Sequence, residues 1–356
     1  MTRDNSTAGN RLSFGWFIPT HGDRSTFGAH AKVDSSLDQF ERVAKAAEEA
    51  GFEYALVPVG KDCWDAWVVS TYLAARTQSL KFLVALKPGY IHPVALAKMV
   101  STFDMISGGD RCYINLIAGA SVADATADGQ IESKEARYEQ LAEATLLLKR
   151  LATEDAVEFE GKYYQVRRPV ILPKPRRCPP LYLGGGSEFA ADLSARYSST
   201  HLFWGDYPER IATQVKEMRE RAAKYGREQE LKFGMRLQII CRETEKEAWE
   251  YADQLVGNSD ARKGKLLNDR SGFNSAADER QRELSKLDGH KLSAHLWSGI
   301  SEVRAGAGVA VVGNPLQVAS QLREFVDAGC TSFCLSGFPH DEEARIFGRH
   351  VMPLLA

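Results

Sequence analysis

The chain lacks any apolar run approaching 18 residues, so no membrane-spanning helix is expected. It also lacks a dominant charge: 45 Lys and Arg stand against 47 Asp and Glu, a formal net charge of −2. Without a broad basic field, neither nucleic acid nor an anionic membrane is an expected partner. The six cysteines are Cys63, Cys112, Cys178, Cys241, Cys330 and Cys334, and none forms a C-x-x-C pair. Scattered in this way, they argue against a disulfide framework and for reduced thiols in the cytoplasm. No histidines show the H-x-x-x-H or H-E-x-x-H spacing of a zinc site, so no metal is expected. The Gly-Lys-Ser/Thr triplet of a Walker A loop is missing too. Residues Met1–Arg11 are polar, without the apolar stretch of a signal peptide, and read as a flexible tail.

What is present is a repeated alternation. Short apolar runs occur at Ser13–Pro19, Tyr54–Val59, Lys81–Leu86, Cys112–Ile117, Pro180–Leu183, His201–Trp204, Phe233–Cys241 and Ser332–Leu335. Most are continuous, as expected of parallel strands covered on both faces. Amphipathic stretches fill the gaps. One carries Leu37, Phe40, Val43, Ala44 and Ala47 on one face, with Ser35 as its expected N-cap. Eight strands separated by helices predict an α/β fold of the TIM-type (β/α)8 barrel class, with a doubly wound sheet as the alternative. The 356 residues suit one such domain over 12–356 with two insertions. Val157–Val166 reads as a hairpin turning at Glu160-Gly161. Gly257–His295 is polar, charged and weakly periodic, which suggests a lid, a binding loop or disorder.

In a barrel, the segments that follow the strands form the active-site face. Leu183-Gly184-Gly185-Gly186-Ser187 follows a strand and opens a helix, so its backbone could approach a phosphate. Phe189 stands where the Rossmann fingerprint needs glycine, and a plain tight turn is the competing reading. Arg236 interrupts an apolar strand and shares a face with Gln238 and Ile240. A charge there must face an anionic ligand or a structural carboxylate, because burying it alone is expensive. Arg304 lies in a Gly-rich stretch that could fold over an anion, or stay a solvated surface residue. Cys63 follows the second strand with no local histidine base, so a passive thiol is favoured over a nucleophile. His21 and His340 follow the first and last strands, neighbours in a closed barrel, and either could be catalytic or bind an anion.

Several stretches, in order along the chain, carry a resemblance. They are Trp16–Asp23, Lys81–Leu86, Pro180–Gly185, Gly234–Leu237, Leu296–Gly299, Val303–Gly308 and Leu335–His340. Together they resemble the alkanesulfonate monooxygenase branch of the bacterial-luciferase-like flavin monooxygenases, from about residue 12 to the C-terminus. The resemblance implies a TIM-type barrel binding reduced FMN from a separate NAD(P)H-dependent flavin reductase. It implies a flavin C4a-peroxide made with dioxygen, and sulfite plus an aldehyde as products. It gives Gly257–His295 the role of a mobile lid and implies a homo-oligomer. Family roles carry over to Cys63, Arg236 and Arg304, and Trp204 matches a pocket tryptophan. Tyr138 of the pair Arg137-Tyr138 is implied to hold the flavin phosphate with Gly185, Gly186 and Ser187.

Two positions depart from that pattern. Gln238 stands where the family usually has histidine, and Phe338 where it usually has tyrosine. Gln238 cannot act as a base near neutral pH, but it can donate and accept hydrogen bonds. A polar sulfonate such as sulfoquinovose is therefore the first expectation, and a simple alkanesulfonate or methanesulfonate the second. Competing functions are a deazaflavin-dependent dehydrogenase, an oxygenase that opens a pyrimidine ring, and a flavin-storage barrel.

Overall fold

The computed structural model describes residues 11–27, 32–118, 122–257 and 275–356. Nearly all of the expected tail, and residues 258–274 of the expected lid, lie outside the described residues.

Eight parallel strands close a barrel. They are β1 (Ser13–Phe17), β2 (Tyr54–Val57), β3 (Lys81–Leu86), β4 (Cys112–Leu116), β5 (Leu181–Gly184), β6 (Thr200–Trp204), β7 (Lys232–Cys241) and β8 (Ser332–Ser336). Each pairs with its sequence neighbour, and β1 pairs with β8. The β6–β7 ladder, Thr200 to Trp204 against Lys232 to Arg236, leaves no open edge in the ring and excludes the doubly wound sheet. All eight apolar runs supply a barrel strand.

The strands alternate as a pleated backbone requires. Phe14 and Trp16 point outward into the helix-covered core. Phe17, Tyr54, Leu56, Leu83, Tyr113, Tyr182, Leu202 and Cys334 pack together inside the barrel. Gly15 is needed there: a Cβ on it would lie 2.1 Å from the Tyr54 ring. Higher on β7 and β8 the inward positions become Arg236, Gln238 and Ser336. The interior thus changes from aromatic to polar toward the C-terminal ends of the strands.

The surrounding helices include α1 (Leu37–Glu49), α2 (Ala66–Ala74), α3 (Pro93–Ile106), α4 (Lys134–Thr153), α5 (Glu188–Tyr197), α6 (Pro208–Ala223), α7 (Pro315–Asp327) and α8 (His340–His350). The N-cap of α1 is Ser36, which accepts the Gln39 N–H, and not Ser35 as the sequence suggested. Ser35 instead donates to the Thr20 carbonyl at 3.2 Å. The hairpin pairs Glu158–Glu160 with Gln165–Arg167.

β7 is twice as long as β6. Its first half belongs to the barrel, and its last four residues pair with a further parallel strand, Ala310–Gly313. That strand also pairs antiparallel with Leu296–Trp297. This extension returns the insertion to the barrel mouth. Within the insertion, residues Ala276–Leu284 form a helix capped by Ser275, where the sequence showed only a weak period. No helix among the described residues is long and apolar enough to cross a membrane.

Candidate active site

Phe17, the last residue of β1, is the common neighbour of four residues, His21 close by in sequence and three from distant parts of the chain. The guanidinium carbon of Arg236 lies 5.0 Å from its ring centroid, and that of Arg304 lies 5.6 Å away. The His21 and His340 rings lie 6.1 and 5.8 Å from it. An aromatic face attracts cations at such distances and reduces the cost of holding two of them together.

Arg236 is 6% exposed. Its Nη1 donates to the Leu237 and Cys334 carbonyls at 2.9 and 3.3 Å, and its Nη2 to Ser336 Oγ at 2.9 Å. Every one of these acceptors is neutral. Among the described residues no carboxylate pairs with Arg236, so the structural salt bridge weighed from sequence is not what stands here. Burial lowers the Arg236 pKa, as it must for a cation without a counterion. Trp204 sits beside Arg236 in the β6–β7 register.

A cavity of about 300 Å3 opens over this floor, and Trp204, Arg236 and Arg304 line it. Tyr138, Gly185, Gly186 and Ser187 line the same cavity. Leu56, Leu116, Ile117 and Leu202 add apolar walls suited to a flat ring system.

Local geometry explains the Gly185–Ser187 turn. Ser187 caps α5, accepting the Ala190 N–H at 3.2 Å, and its hydroxyl lies 3.4 Å from the Tyr138 hydroxyl. Gly185 has φ +139°, a conformation L-residues rarely adopt, and a Cβ there would lie 3.1 Å from Ala190 Cβ. A bare backbone turn, two hydroxyls and the positive end of a ten-residue helix fit a phosphate group. Arg137 serves the scaffold instead. Its Nε donates to the Ala118 carbonyl and its Nη1 to that of Glu132.

Four sequence candidates are not among the residues that line this cavity. Gln238 is fully buried. Its Oε1 accepts from Ser336 Oγ at 2.6 Å, and its Nε2 donates to the Ala307 carbonyl at 2.9 Å. The hydroxyl-binding role suggested by the sequence is therefore replaced by an internal bridge. His340 opens α8 and is 2% exposed. Its Nδ1 lies 2.7 Å from Asp23 Oδ1, and its backbone N–H donates to Asp23 Oδ2 at 3.0 Å. Burial, then the charges of Arg304, His340 and Arg24, push the His21 pKa down to about 3, so its imidazole is neutral in ordinary buffers. The fourth, Cys63, sits near Thr20 and Arg304, and burial raises its thiol pKa. That favours the passive thiol over a nucleophile.

Other contributors were not singled out from sequence. Asn115 at the end of β4 and Lys134 at the start of α4 line the cavity. Ser275, Ala276 and Ala277 close one side. Their helix is held by Arg280, which contacts Asp206 through Nε at 2.7 Å and Nη2 at 2.8 Å. Gln281 donates to the Gly205 carbonyl and accepts the Gly308 N–H. These pairings join residues 27 to 76 positions apart, and spacing alone carries no signal for them. A smaller cavity of about 180 Å3 lies on the outer side of the Gly185–Ser187 turn. Its Arg210 and Arg280 are paired to Asp206 and its Arg221 to Glu188, so its cations are compensated within the protein.

Solved structures share this architecture. A riboflavin lyase structure with modified FMN and riboflavin superimposes with a TM-score of 0.78 at 19% identity, over 97% of this chain and 91% of that one. The EDTA monooxygenase of Chelativorans sp. BNC1 gives 0.75 at 19%, over 97% and 93%. A long-chain alkane monooxygenase gives 0.75 at 18%, over 97% and 91%. Identities this low speak for the fold. The sequence model described as luciferase-like monooxygenase matches residues 12–332, nearly the whole barrel. With that match, the chain belongs to the luciferase-like monooxygenase family and is a flavin-dependent monooxygenase.

Proposed function

We propose that the chain is the oxygenase of a two-component system acting on an organosulfonate. It takes reduced FMN from a separate NAD(P)H-dependent flavin reductase and, with dioxygen, cleaves the carbon–sulfur bond. The balanced reaction consumes sulfonate, reduced FMN and dioxygen, and yields aldehyde, sulfite, oxidised FMN and water. The observation that carries this reading is the buried Arg236, which lines the same cavity as the Ser187 turn and has no carboxylate partner among the described residues. A cation kept without a counterion is suited to a ligand that brings its own negative charge.

Reduced FMN, when bound, supplies the electrons that activate dioxygen. Ser187, Tyr138 and the Gly185-Gly186 backbone would hold its phosphate, with Lys134 adding positive charge to the cavity. Arg236 and Arg304 would hold the sulfonate and stabilise negative charge that grows on oxygen as the bond breaks. Trp204 would shield the reacting carbon from water. The helix Ala276–Leu284, whose first residues line the cavity, would help to exclude solvent.

A polar sulfonate such as sulfoquinovose keeps Asn115 as a hydroxyl partner in the cavity. A simple alkanesulfonate or methanesulfonate is the second reading. The burial of Gln238 favours it, because the group first assigned to sugar hydroxyls is occupied internally. Sulfite release would be measured with reduced FMN, air and a panel of sugar, alkyl and methyl sulfonates. Sulfite from one class identifies the substrate. Oxygen uptake with no sulfite from any member would defeat the desulfonation reading.

A further inference from the structure

We propose that Ser336 and Gln238 are positioning residues that set the place of the Arg304 loop relative to Arg236. The inference rests on the reading above, in which these two arginines share one anionic headgroup.

Four side-chain and backbone groups form a single chain. Arg236 Nη2 donates to Ser336 Oγ at 2.9 Å. Ser336 Oγ donates to Gln238 Oε1 at 2.6 Å. Gln238 Nε2 donates to the Ala307 carbonyl at 2.9 Å. The same carbonyl lies 3.5 Å from Arg304 Nη1. Gln238 and Ser336 have no solvent exposure, and Arg236 and Ala307 have 6% each.

The polarity of this chain is fixed from both ends. A guanidinium can only donate, so the Ser336 hydroxyl accepts from it and turns its own proton onward. A backbone carbonyl can only accept, so Gln238 must present nitrogen to Ala307 and oxygen to Ser336. A neutral amide meets both demands without titrating. An ionised carboxylate would face the Ala307 carbonyl with no proton to give. An alkyl side chain would leave the Ser336 proton unpaired in a dry site and the Ala307 carbonyl with only the long contact from Arg304.

The backbone adds leverage. Gln238 is where β7 leaves the barrel: it registers with Ser336 on one side and Ala310 on the other. Its own N–H donates to the Val309 carbonyl at 3.0 Å. One residue therefore joins the barrel rim to the strand that follows the Arg304 loop.

Histidine at this position could imitate the amide only while neutral. Once protonated it would donate at both ends and strand the Ser336 proton. Gln238→His should thus make the grip depend on pH where imidazole ordinarily titrates, near pH ~6.5. The charged or titratable groups around this chain include Arg236 and Arg304, joined to it through Ser336 and Ala307, Cys334 in register with Arg236, and His21 and His340, which share the Phe17 ring with both arginines. They are the same in both proteins, so the ratio of variant to wild-type affinity removes their contribution.

The test is calorimetric titration of methanesulfonate into the full-length wild type, Ser336→Ala and Gln238→His from about pH 5.5 to about pH 8.5. FMN affinity is measured in parallel. Ser336→Ala should bind methanesulfonate about tenfold more weakly, with FMN binding unchanged. Gln238→His should match the wild type at the alkaline end and fall about tenfold below it at the acid end. A Gln238→His ratio that stays flat across the range overturns the inference, whatever Ser336→Ala does. Arg236→Ala is titrated alongside: if it binds methanesulfonate as tightly as the wild type, the proposed function falls and the inference falls with it. A wild type that does not bind methanesulfonate overturns the inference, which needs a site for the bare headgroup, while sulfite release from a polar sulfonate would still uphold the proposed function.

Discussion

The carboxylate of Asp23 accepts two hydrogen bonds from His340, one from the ring and one from the backbone, across 317 residues of sequence. It clasps the loop after β1 to the first residue of α8, which follows β8. The first and last strands of the barrel are thereby joined at the rim as well as along their ladder. Phe17, His21 and Phe338 gather around the same clasp. The rim that carries the proposed anion site is thus the seam between the first and last barrel strands.

Replacing Asp23 tests that clasp. Burial works to raise the Asp23 pKa, but the bonds from His340 outweigh it, and the folded value lies below the ordinary one. As pH falls, the unfolded chain therefore takes up this proton first. The stabilisation is full above about pH 4 and is lost as pH falls through the depressed folded value. Asp23→Asn should lower stability at neutral pH by about 1–3 kcal/mol and flatten the acid decline. Unfolding midpoints of both proteins across the acid range check this; parallel curves would show that Asp23 is not the titrating group.

Arg236→Ala should fold and bind flavin yet lose sulfite release by roughly 10- to 100-fold, the worth of one charge-assisted contact. Arg236→Lys should recover little of it, because an ammonium cannot donate to Leu237, Cys334 and Ser336 in the geometry of a planar fork. Steady-state sulfite assays with reduced FMN distinguish the cases. Near-normal turnover in Arg236→Ala would remove the assigned role.

The turn at Ser187 should discriminate between flavins by their phosphate. Ser187→Ala removes the cap of α5, at a cost of about 1 kcal/mol in stability. It should weaken FMN binding several-fold and leave riboflavin binding nearly unchanged. Fluorescence titration of both flavins reads the difference. An equal loss for each would place the phosphate elsewhere.

Arg280→Ala should uncouple the reaction. Asp206 would lose its contact to the helix Ala276–Leu284, leaving Arg210 at 3.1 Å as its remaining ion-pair partner, and the wall beside Trp204 would loosen. Hydrogen peroxide should rise as sulfite falls, because water reaches the oxygen-activating site. Paired peroxide and sulfite assays decide it. Unchanged coupling would mean that this helix does not seal the cavity.

Much of the architecture was readable before any coordinates. Continuous apolar runs report a local requirement, burial on both faces, and so all eight barrel strands were visible in the chain. Arg236 was conspicuous for the same reason: a charge inside such a run breaks the local pattern. The Gly185–Ser187 turn announced itself through glycines that only a tight strand-to-helix connection needs.

What the tertiary structure decided was which distant groups meet. Strand alternation places Gln238 on the inward face, but only the returning loop at Ala307 shows that its amide is already engaged. Ser336, Asp23 and Gln281 look like ordinary polar residues in sequence. They acquire roles because barrel closure brings the first and last barrel strands together and because β7 outgrows its neighbours to carry a second strand back over the mouth. Local pattern records the solvent each residue avoids, whereas partnership depends on register and closure, which are properties of the whole ring.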